Sequence, residues 1–457
     1  MDIGISRISK LWTDRSNEDP REASRRRQKV AVSIVCGNDV RDSYTRQVAL
    51  LTAAALGARC FPCGLRFVAD ACVLDAPLQP WPSTGMTIGS ALEIIVGSRV
   101  SHATHRSKDD YCLLIGDVHG GDGELLMSFD GWNVSVGPVE QAQRLNEREL
   151  NPIAGVAAAS LAMSEVFMHF AGINIQARRQ TIGFSLWRPD LPISDSRTIG
   201  VKVKYLPSRL WTLGLGHLGQ GFLWNYSMLR FHDPSRVELY LADFDKAEST
   251  NWETGVLLRQ NPPARHKTRL MAEWLEARGY HTVLSERRVT ADFRCNDDEP
   301  KIAFAGFDKN ESRRAMAKCN FKRIVDCGLG ANASNFDSIA LTTWPNAISP
   351  DKLWPEDSEQ VRRVRELADA NDVYQDLETE LQCGRYKLAG NTIGVPFVGT
   401  FAGALAISEF LRALHDGPLF DRVKYRMASP LELPTAQAGS IDVADLGFFR
   451  YEEAESN

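Results

Sequence analysis

Short apolar runs alternate along this chain with longer stretches whose apolar positions recur at helical spacing. Val30 to Val35 is such a run; Cys36-Gly37-Asn38-Asp39 follows it, then a helical stretch from Ser43 to Leu56 that Gly57 is expected to stop. Tyr111 to Ile115 ends on Gly116-Asp117, Trp132 to Val136 ends on Gly137-Pro138, and Asn151 to Phe170 reads as an alanine-rich helix. Strands alternating with helices predict an α/β unit over 30–190. Pro189, Pro192 and Pro207 punctuate the polar stretch 185–209, where a domain junction is expected. A second unit, 205–457, resumes the pattern. It has runs at Leu210–Leu213 and Val237–Ala242, strands at Ile302–Ala305, Ile324–Asp326 and Ile339–Thr343, and helices from Lys267 to Arg278, from Ser312, and from Val398 to Leu414. Between them, 346–390 is charged and helical in pattern, and reads as an insertion over the active face.

The densest signal lies at the start of the second unit. After Leu213 the chain turns on Gly214, Gly216 and Gly219, spaced G-x-G-x-x-G, and an amphipathic segment runs from Gln220 to Arg230. Gly214 permits a tight turn, Gly216 lets backbone approach a phosphate, and Gly219 lets the helix pack close to the sheet. The helix amino terminus then offers free N–H groups to an anion. The two units also repeat. Setting Gly155 beside Gly399 brings Ala158, Leu161, Ala162, Ser164 and Glu165 onto identical residues at 402, 405, 406, 408 and 409. The first unit has one glycine, Gly37, where the second has three. A duplicated Rossmann-like fold, with only the second copy holding a nucleotide, is the expectation.

Bulk properties narrow the class. The chain has 457 residues, 44% apolar and 24% charged, with a net charge of −5, which gives no reason to expect nucleic acid or a membrane as partner. No uninterrupted apolar run is long enough to span a bilayer, and the basic stretch 1–29 lacks the apolar core of a secretion signal, so that it reads as a solvated arm. Nine scattered cysteines suit a reducing cytosol, which makes a cytoplasmic location the expectation.

A dinucleotide site would place one acid on the ribose after the glycines. Here two acids, Asp243 and Asp245, precede Asn251 and Lys267, and Asp308 ends a later strand. An amide, a lysine and several acids at strand ends suit a triphosphate with magnesium better than a nicotinamide. Asp243-Phe-Asp245-Lys-Ala-Glu-Ser-Thr-Asn251 resembles the D-x-D-x-x-E-x-x-N signature of the ThiF, MoeB and ubiquitin-activating-enzyme superfamily. Lys267 stands where that family keeps its catalytic lysine, and Ala305-Gly-Phe-Asp308 resembles its strand-ending aspartate segment. The first unit resembles the inactive adenylation-like half of eukaryotic ubiquitin-activating enzymes. The two-lobe layout is similar to activating enzymes of bacterial ubiquitin-like conjugation operons of the antiphage Bil type.

The resemblance implies an α/β fold of two ThiF-type adenylation lobes, an inactive one and an active one, with a helical crossover insertion. It implies ATP at Gly214, Gly216, Gly219, Asp243, Asp245, Asn251 and Lys267, and magnesium at Asp308. It also implies adenylation of the carboxyl-terminal glycine of a ubiquitin-like protein, then a thioester and transfer to a conjugating enzyme. The thiol chosen is Cys383, in a polar segment beside Arg385 and Lys387; Cys36, Cys72, Cys112, Cys295 and Cys319 read as structural, and Cys327 as buried.

The chain departs from the family at three points. Thr254 stands in place of an arginine, for which Arg259 or Arg265 could substitute. Cys60 and Cys63 form the one C-x-x-C pair, half a tetrahedral site, so no structural zinc is expected. Tyr44-Thr-Arg46-Gln47 resembles the segment whose arginine crosses to a partner's ATP, but it follows a strand instead of preceding one. Adenylation of a sulfur-carrier protein is the nearest alternative; a nicotinamide-dependent oxidoreductase and a non-catalytic scaffold are the more distant ones.

Overall fold

Val32–Cys36 (β1) is buried at every position, so both its faces need cover, as in the central strand of a parallel sheet with helices on each side. The computed structural model describes residues 8, 10–12, 20–356, 393–429, 435–437 and 447–450, short of 63, 82–83, 98–100, 104, 108–109 and 331–332. In it, β1 lies between Leu65–Val68 (β2) and Tyr111–Ile115 (β4), with Val32 opposite both Leu65 and Tyr111. Ser101–Ala103 (β3) extends one edge. On the other side come parallel Leu125–Asp130 (β5), then antiparallel Asn133–Pro138 (β6) and Ile182–Ser185 (β7). The order is β3-β2-β1-β4-β5-β6-β7.

The second sheet repeats this order. Tyr205–Pro207 (β8) leads into Arg209–Leu213 (β9), which lies between Glu238–Ala242 (β10) and Ile302–Ala305 (β12). His281–Ser285 (β11) takes one edge. Arg323–Leu329 (β13), then antiparallel Ser338–Trp344 (β14), Phe420–Arg426 (β15) and Thr435–Gln437 (β16) take the other. The order β11-β10-β9-β12-β13-β14-β15 matches the first sheet, with β16 added and with Phe448–Arg450 (β17) pairing β8 outside it. Both orders reverse beside the central strand, which opens a crevice at the strand carboxyl ends, where α/β folds bind ligands.

The helices place the core between the sheets. In the first lobe, Pro20–Gln28 (α1) precedes the sheet, Tyr44–Cys60 (α2) follows β1, Ile88–Val96 (α3) follows β2, and Ile153–Phe170 (α4) follows β6. In the second, His217–Ser227 (α5) follows β9, Lys267–Glu276 (α6) follows β10, Asn310–Met316 (α7) follows β12, and Pro396–Leu414 (α8) precedes β15. Ser43 caps α2, its Oγ accepting from Arg46 N at 3.1 Å. The repeated glycines mark close helix pairs: a Cβ on Gly155 would lie 2.4 Å from Thr45 O, and one on Gly221 would lie 2.3 Å from Gly399 O. Phe167 of α4 meets Phe397 of α8 with ring centres 5.4 Å apart, and Phe184 of β7 meets Phe401 at 5.3 Å. These contacts join the two lobes through one apolar core. The helices α4 and α8, of 18 and 19 residues, are long and apolar enough to cross a bilayer, but they are 89% and 100% buried inside the protein.

Three expectations differ from the structure. The helix after β1 runs through Gly57 to Cys60, because the missing side chain there makes room for Leu65, whose Cδ1 would lie 2.8 Å from a Cβ. The described part of the amino-terminal arm does not behave as a solvated tail: Ile8, Leu11 and Trp12 are fully buried, and Trp12 packs on Phe167 with ring centres 6.0 Å apart. The apolar residues at 8, 11 and 12 share one side of a helical turn and cover the end of α4. Finally, Cys72 is exposed, not structural, with Sγ 3.6 Å from Asn38 Oδ1.

Candidate active site

The glycine turn sits where the second sheet's order reverses. Gly214 has φ +85°, a left-handed conformation that costs glycine nothing. The first turn of α5 packs directly on it: a Cβ on Gly219 would lie 2.0 Å from Gly214 O, an impossible contact. At Gly216, a Cβ would meet nothing within 4 Å. That open space lies before the first-turn N–H groups of α5, which have no acceptor within their own helix, so the turn can receive an anion.

Asp243, at the end of β10, holds the turn. Its Oδ2 accepts from Leu215 N at 2.6 Å and its Oδ1 from Asp245 N at 2.8 Å. Burial pushes its carboxyl above the ordinary range, against the opposing pull of the Lys267 charge and of these two N–H groups. Asp245 Oδ2 lies 3.0 Å from Lys267 Nζ, which starts α6. The structure thus brings Asp243, Asp245 and Lys267 together at the turn. Asn251 turns inward on its own segment, Oδ1 accepting from Glu248 N at 3.0 Å. Asp308 is exposed, two residues past Gly306, and Gly306 O would lie 3.0 Å from a Cβ on Gly214. Arg313 fixes this strand end, donating to Phe307 O at 2.6 Å and to Asp326 Oδ1 at 3.2 Å. Among the described residues, no group of three or more His, Cys, Asp or Glu side chains could hold a metal ion. One exposed carboxylate suits a magnesium ion whose other ligands are water and phosphate oxygens.

Two polar residues that sequence reasoning passed over support the turn. Gln220, buried in α5, donates to Leu215 O at 3.3 Å and accepts from Leu257 N and Leu258 N, both at 3.2 Å. His217 Nε2 accepts from Gly399 N at 3.2 Å and ties the turn to α8. An amide, Gln220, in the first turn of a largely apolar helix beginning at the glycines was the available signal.

The remaining named residues lie apart from the turn's own contacts. Thr254 is buried, and a Cβ on Gly394 would meet its Cγ2 at 2.9 Å. Arg265 pairs with Glu273 at 2.6 Å, and Arg259 is exposed. Arg46 is engaged within its own lobe, by Glu147 through its Nε at 2.8 Å and by Asp39 at 3.3 Å. Cys60 is buried, and burial pushes its thiol upward; Cys63 lies outside the described residues. So does Cys383, with residues 357–392, which hold all of the expected 346–390 insertion except 346–356. Cys327 is buried, and burial raises its thiol well above the usual value.

The equivalent crevice of the first sheet is filled by the protein itself. Asp39, which follows Gly37, accepts from Asp117 N at 2.8 Å and from Arg144 Nη2 at 2.6 Å. Arg144 also reaches Glu147 at 2.7 Å and Asp117 at 3.1 Å. A Cβ on Gly37 would lie 2.6 Å from Asp117 N, and one on Gly116 would lie 2.3 Å from Asp39 Oδ1. Among the described residues, neither Gly37 nor Gly116 faces open space as Gly216 does.

Fold and site together define a protein of two Rossmann-like lobes, one of which carries an anion-receiving glycine turn. Models of the BilD N-terminal domain and the BilD C-terminal domain match residues 31–186 and 206–417. A bacterial E1-like protein BilD from Collimonas sp. (strain OK412) is 31% identical over 421 residues, 91% of this chain and 90% of that protein. The chain belongs to the BilD family of bacterial E1-like proteins. Among solved structures, E. coli MccB is 12% identical with a TM-score of 0.35, covering 73% of this chain and 98% of its own. E. coli tRNA N6-threonylcarbamoyladenosine dehydratase, TcdA, is 15% identical with a TM-score of 0.30, covering 46% and 86%.

Proposed function

We propose that the chain is a cytoplasmic activating enzyme that adenylates the carboxyl-terminal glycine of a ubiquitin-like protein. On this reading the product is then held as a thioester on Cys383 and passed to a conjugating enzyme. The observation that carries the proposal is the clustering of Asp243, Asp245 and Lys267 around an open glycine turn at the sheet's reversal point. The carrier's carboxylate attacks the α-phosphorus of ATP, the bond to the pyrophosphate oxygen breaks, and an acyl adenylate and pyrophosphate result. No protein nucleophile is needed in that step, so positioning and charge neutralisation supply the catalysis. The α5 amino terminus and Lys267 would hold the phosphates, Asp243 would fix the turn, and Asp308 would hold a magnesium ion that offsets charge on the leaving pyrophosphate. In a second step the Cys383 thiolate attacks the acyl carbonyl and AMP departs. The amino-terminal lobe, with Asp39 in its crevice, would bind no nucleotide.

Exchange of labelled pyrophosphate into ATP, stimulated by a ubiquitin-like carrier, tests the first step. Exchange with formation of a thiocarboxylated carrier, and no enzyme adduct, would move the assignment to sulfur-carrier activation; NADH binding without exchange would overturn adenylation. Cys383→Ala is expected to leave exchange intact and to abolish the adduct cleaved by reducing agent. Loss of both, or of neither, would remove Cys383 from its role.

A further inference from the structure

We propose that Arg59, in the amino-terminal lobe, is a positioning residue for the nucleotide site of the other lobe, clamping the loop that follows Asn251; this rests on the adenylation reading. Arg59 is 4% exposed at the end of α2. Its Nε donates to Trp252 O at 3.1 Å and Gly255 O at 3.0 Å, and its Nη2 donates to Val256 O and Leu258 O, both at 2.8 Å. Its Nη1 returns to Ala55 O of its own helix at 2.7 Å. One guanidinium from the first lobe thus holds four carbonyls of a single seven-residue segment of the second. Arg27 adds an ion pair to Glu253 at 3.0 Å.

The segment from 252 to 258, the end of a helical turn Asn251–Thr254 followed by irregular backbone at 255–258, pairs with no described strand, so most of its peptide groups need acceptors and donors from elsewhere. Arg59 supplies the donors on one side. Gln220 supplies the acceptor on the other, taking Leu257 N and Leu258 N, and its own amide reaches Leu215 O in the glycine turn. A Cβ on Gly255 would lie 2.3 Å from Gln220 Oε1, so the loop has no slack toward α5. The path from Arg59 to the turn is therefore a continuous set of hydrogen bonds, with Asn251 at the start of the clamped segment. A planar fork of five N–H groups can meet this many carbonyls; the three N–H groups of a lysine, on one nitrogen, cannot.

The test uses the full chain with magnesium and α,β-methylene-ATP as probe. Arg59→Lys is expected to weaken the probe's affinity about tenfold, the loss of one well-placed contact's worth of binding, and to move the melting temperature by only a few degrees. Thr52→Val is the control: it removes the 3.0 Å cross-lobe hydrogen bond from Trp224 Nε1 without touching the loop, and should lower the melting temperature while leaving affinity unchanged. Wild-type affinity in a folded Arg59→Lys chain overturns the inference alone, whereas no binding by the wild type overturns it together with the adenylation reading. If Arg59→Lys does not fold, hydrogen exchange on the wild type decides. Slow exchange at Leu257 and Leu258 without nucleotide supports the clamp, and free exchange that slows only with the probe refutes it.

Discussion

The two lobes share a strand order, yet they treat the crevice beside the central strand in opposite ways. In the second lobe an aspartate at the end of the neighbouring strand bonds the glycine turn and leaves the space before Gly216 open. In the first, Asp39 leans into the crevice and is satisfied there by Asp117 N, Arg144 and Arg46. Topology fixes where a ligand could sit; a single side chain decides whether space remains. From the first lobe, α2 reaches across to the second through Arg59, Thr52 and Tyr44.

The largest expected break in this comparison is Lys267→Ala. It should lower pyrophosphate exchange on the order of a hundredfold or more, as loss of a charge aimed at the reacting phosphates does. The melting temperature should fall by much less than the activity, because the pair with the half-exposed Asp245 adds little stability and the main loss is the lysine charge that offsets the buried Asp243. A residual activity near wild type would detach the lysine from the chemistry.

The repeated glutamates sharpen the contrast next. Glu409 is paired with Arg412 and, at 3.4 Å, with Arg323. Glu165, its counterpart, accepts from Arg178 N at 2.7 Å, and burial raises its carboxyl to about 7 against that one hydrogen bond. A folded-state value above the unfolded one means the folded chain binds the extra proton, so stability falls as pH rises from about 4.5 to 7 and then levels off. Glu165→Gln should match wild type near pH 4 and be more stable at pH 8, on the order of 2 kcal/mol by chemical denaturation. Equal stability at both pH values would show that Glu165 ionises freely.

Asp39→Ala should have the smallest effect, about 1 kcal/mol of stability for a partly exposed ion-pair group, with pyrophosphate exchange unchanged. Burial pushes the Asp39 carboxyl up, but the hydrogen bonds from Asp117 N and Arg144 and the Arg46 and Arg144 charges outweigh it and hold the group below the ordinary range. Its contribution is therefore present above the usual aspartate value and is lost as pH falls through the lower folded value. Denaturation curves across acid pH would read this directly. A fall in exchange would mean that the first crevice does take part.

Long apolar signals were legible from the chain alone. Ile302–Ala305 has the same bounds in sequence and structure, and the two long helices differ from expectation by two residues at their starts. Strands β2, β3, β5, β7, β8, β11, β15, β16 and β17 were missed, several of them for clear physical reasons. Strand β5, Leu125–Asp130, carries Ser128 and Asp130 buried with hydrogen-bonding partners, so it lacks an uninterrupted apolar run. The edge strand β11 is half exposed and polar. At the site, the glycines, Asp243 and Lys267 stood out because local spacing encodes them. Gln220 and Arg59 did not, because each draws its meaning from a loop far along the chain. The Asp39, Asp117, Arg144 and Glu147 cluster is likewise assembled by folding, not by proximity in sequence.

If the proposed function holds, nucleotide binds at the turn of the second lobe and not in the first. Calorimetric titration of the full chain with magnesium and α,β-methylene-ATP tests it, comparing wild type with Gly216→Val, a side chain placed in open space that should leave folding intact. The prediction is one binding site per chain, lost in Gly216→Val without a drop in melting temperature. Undiminished binding in Gly216→Val would contradict it.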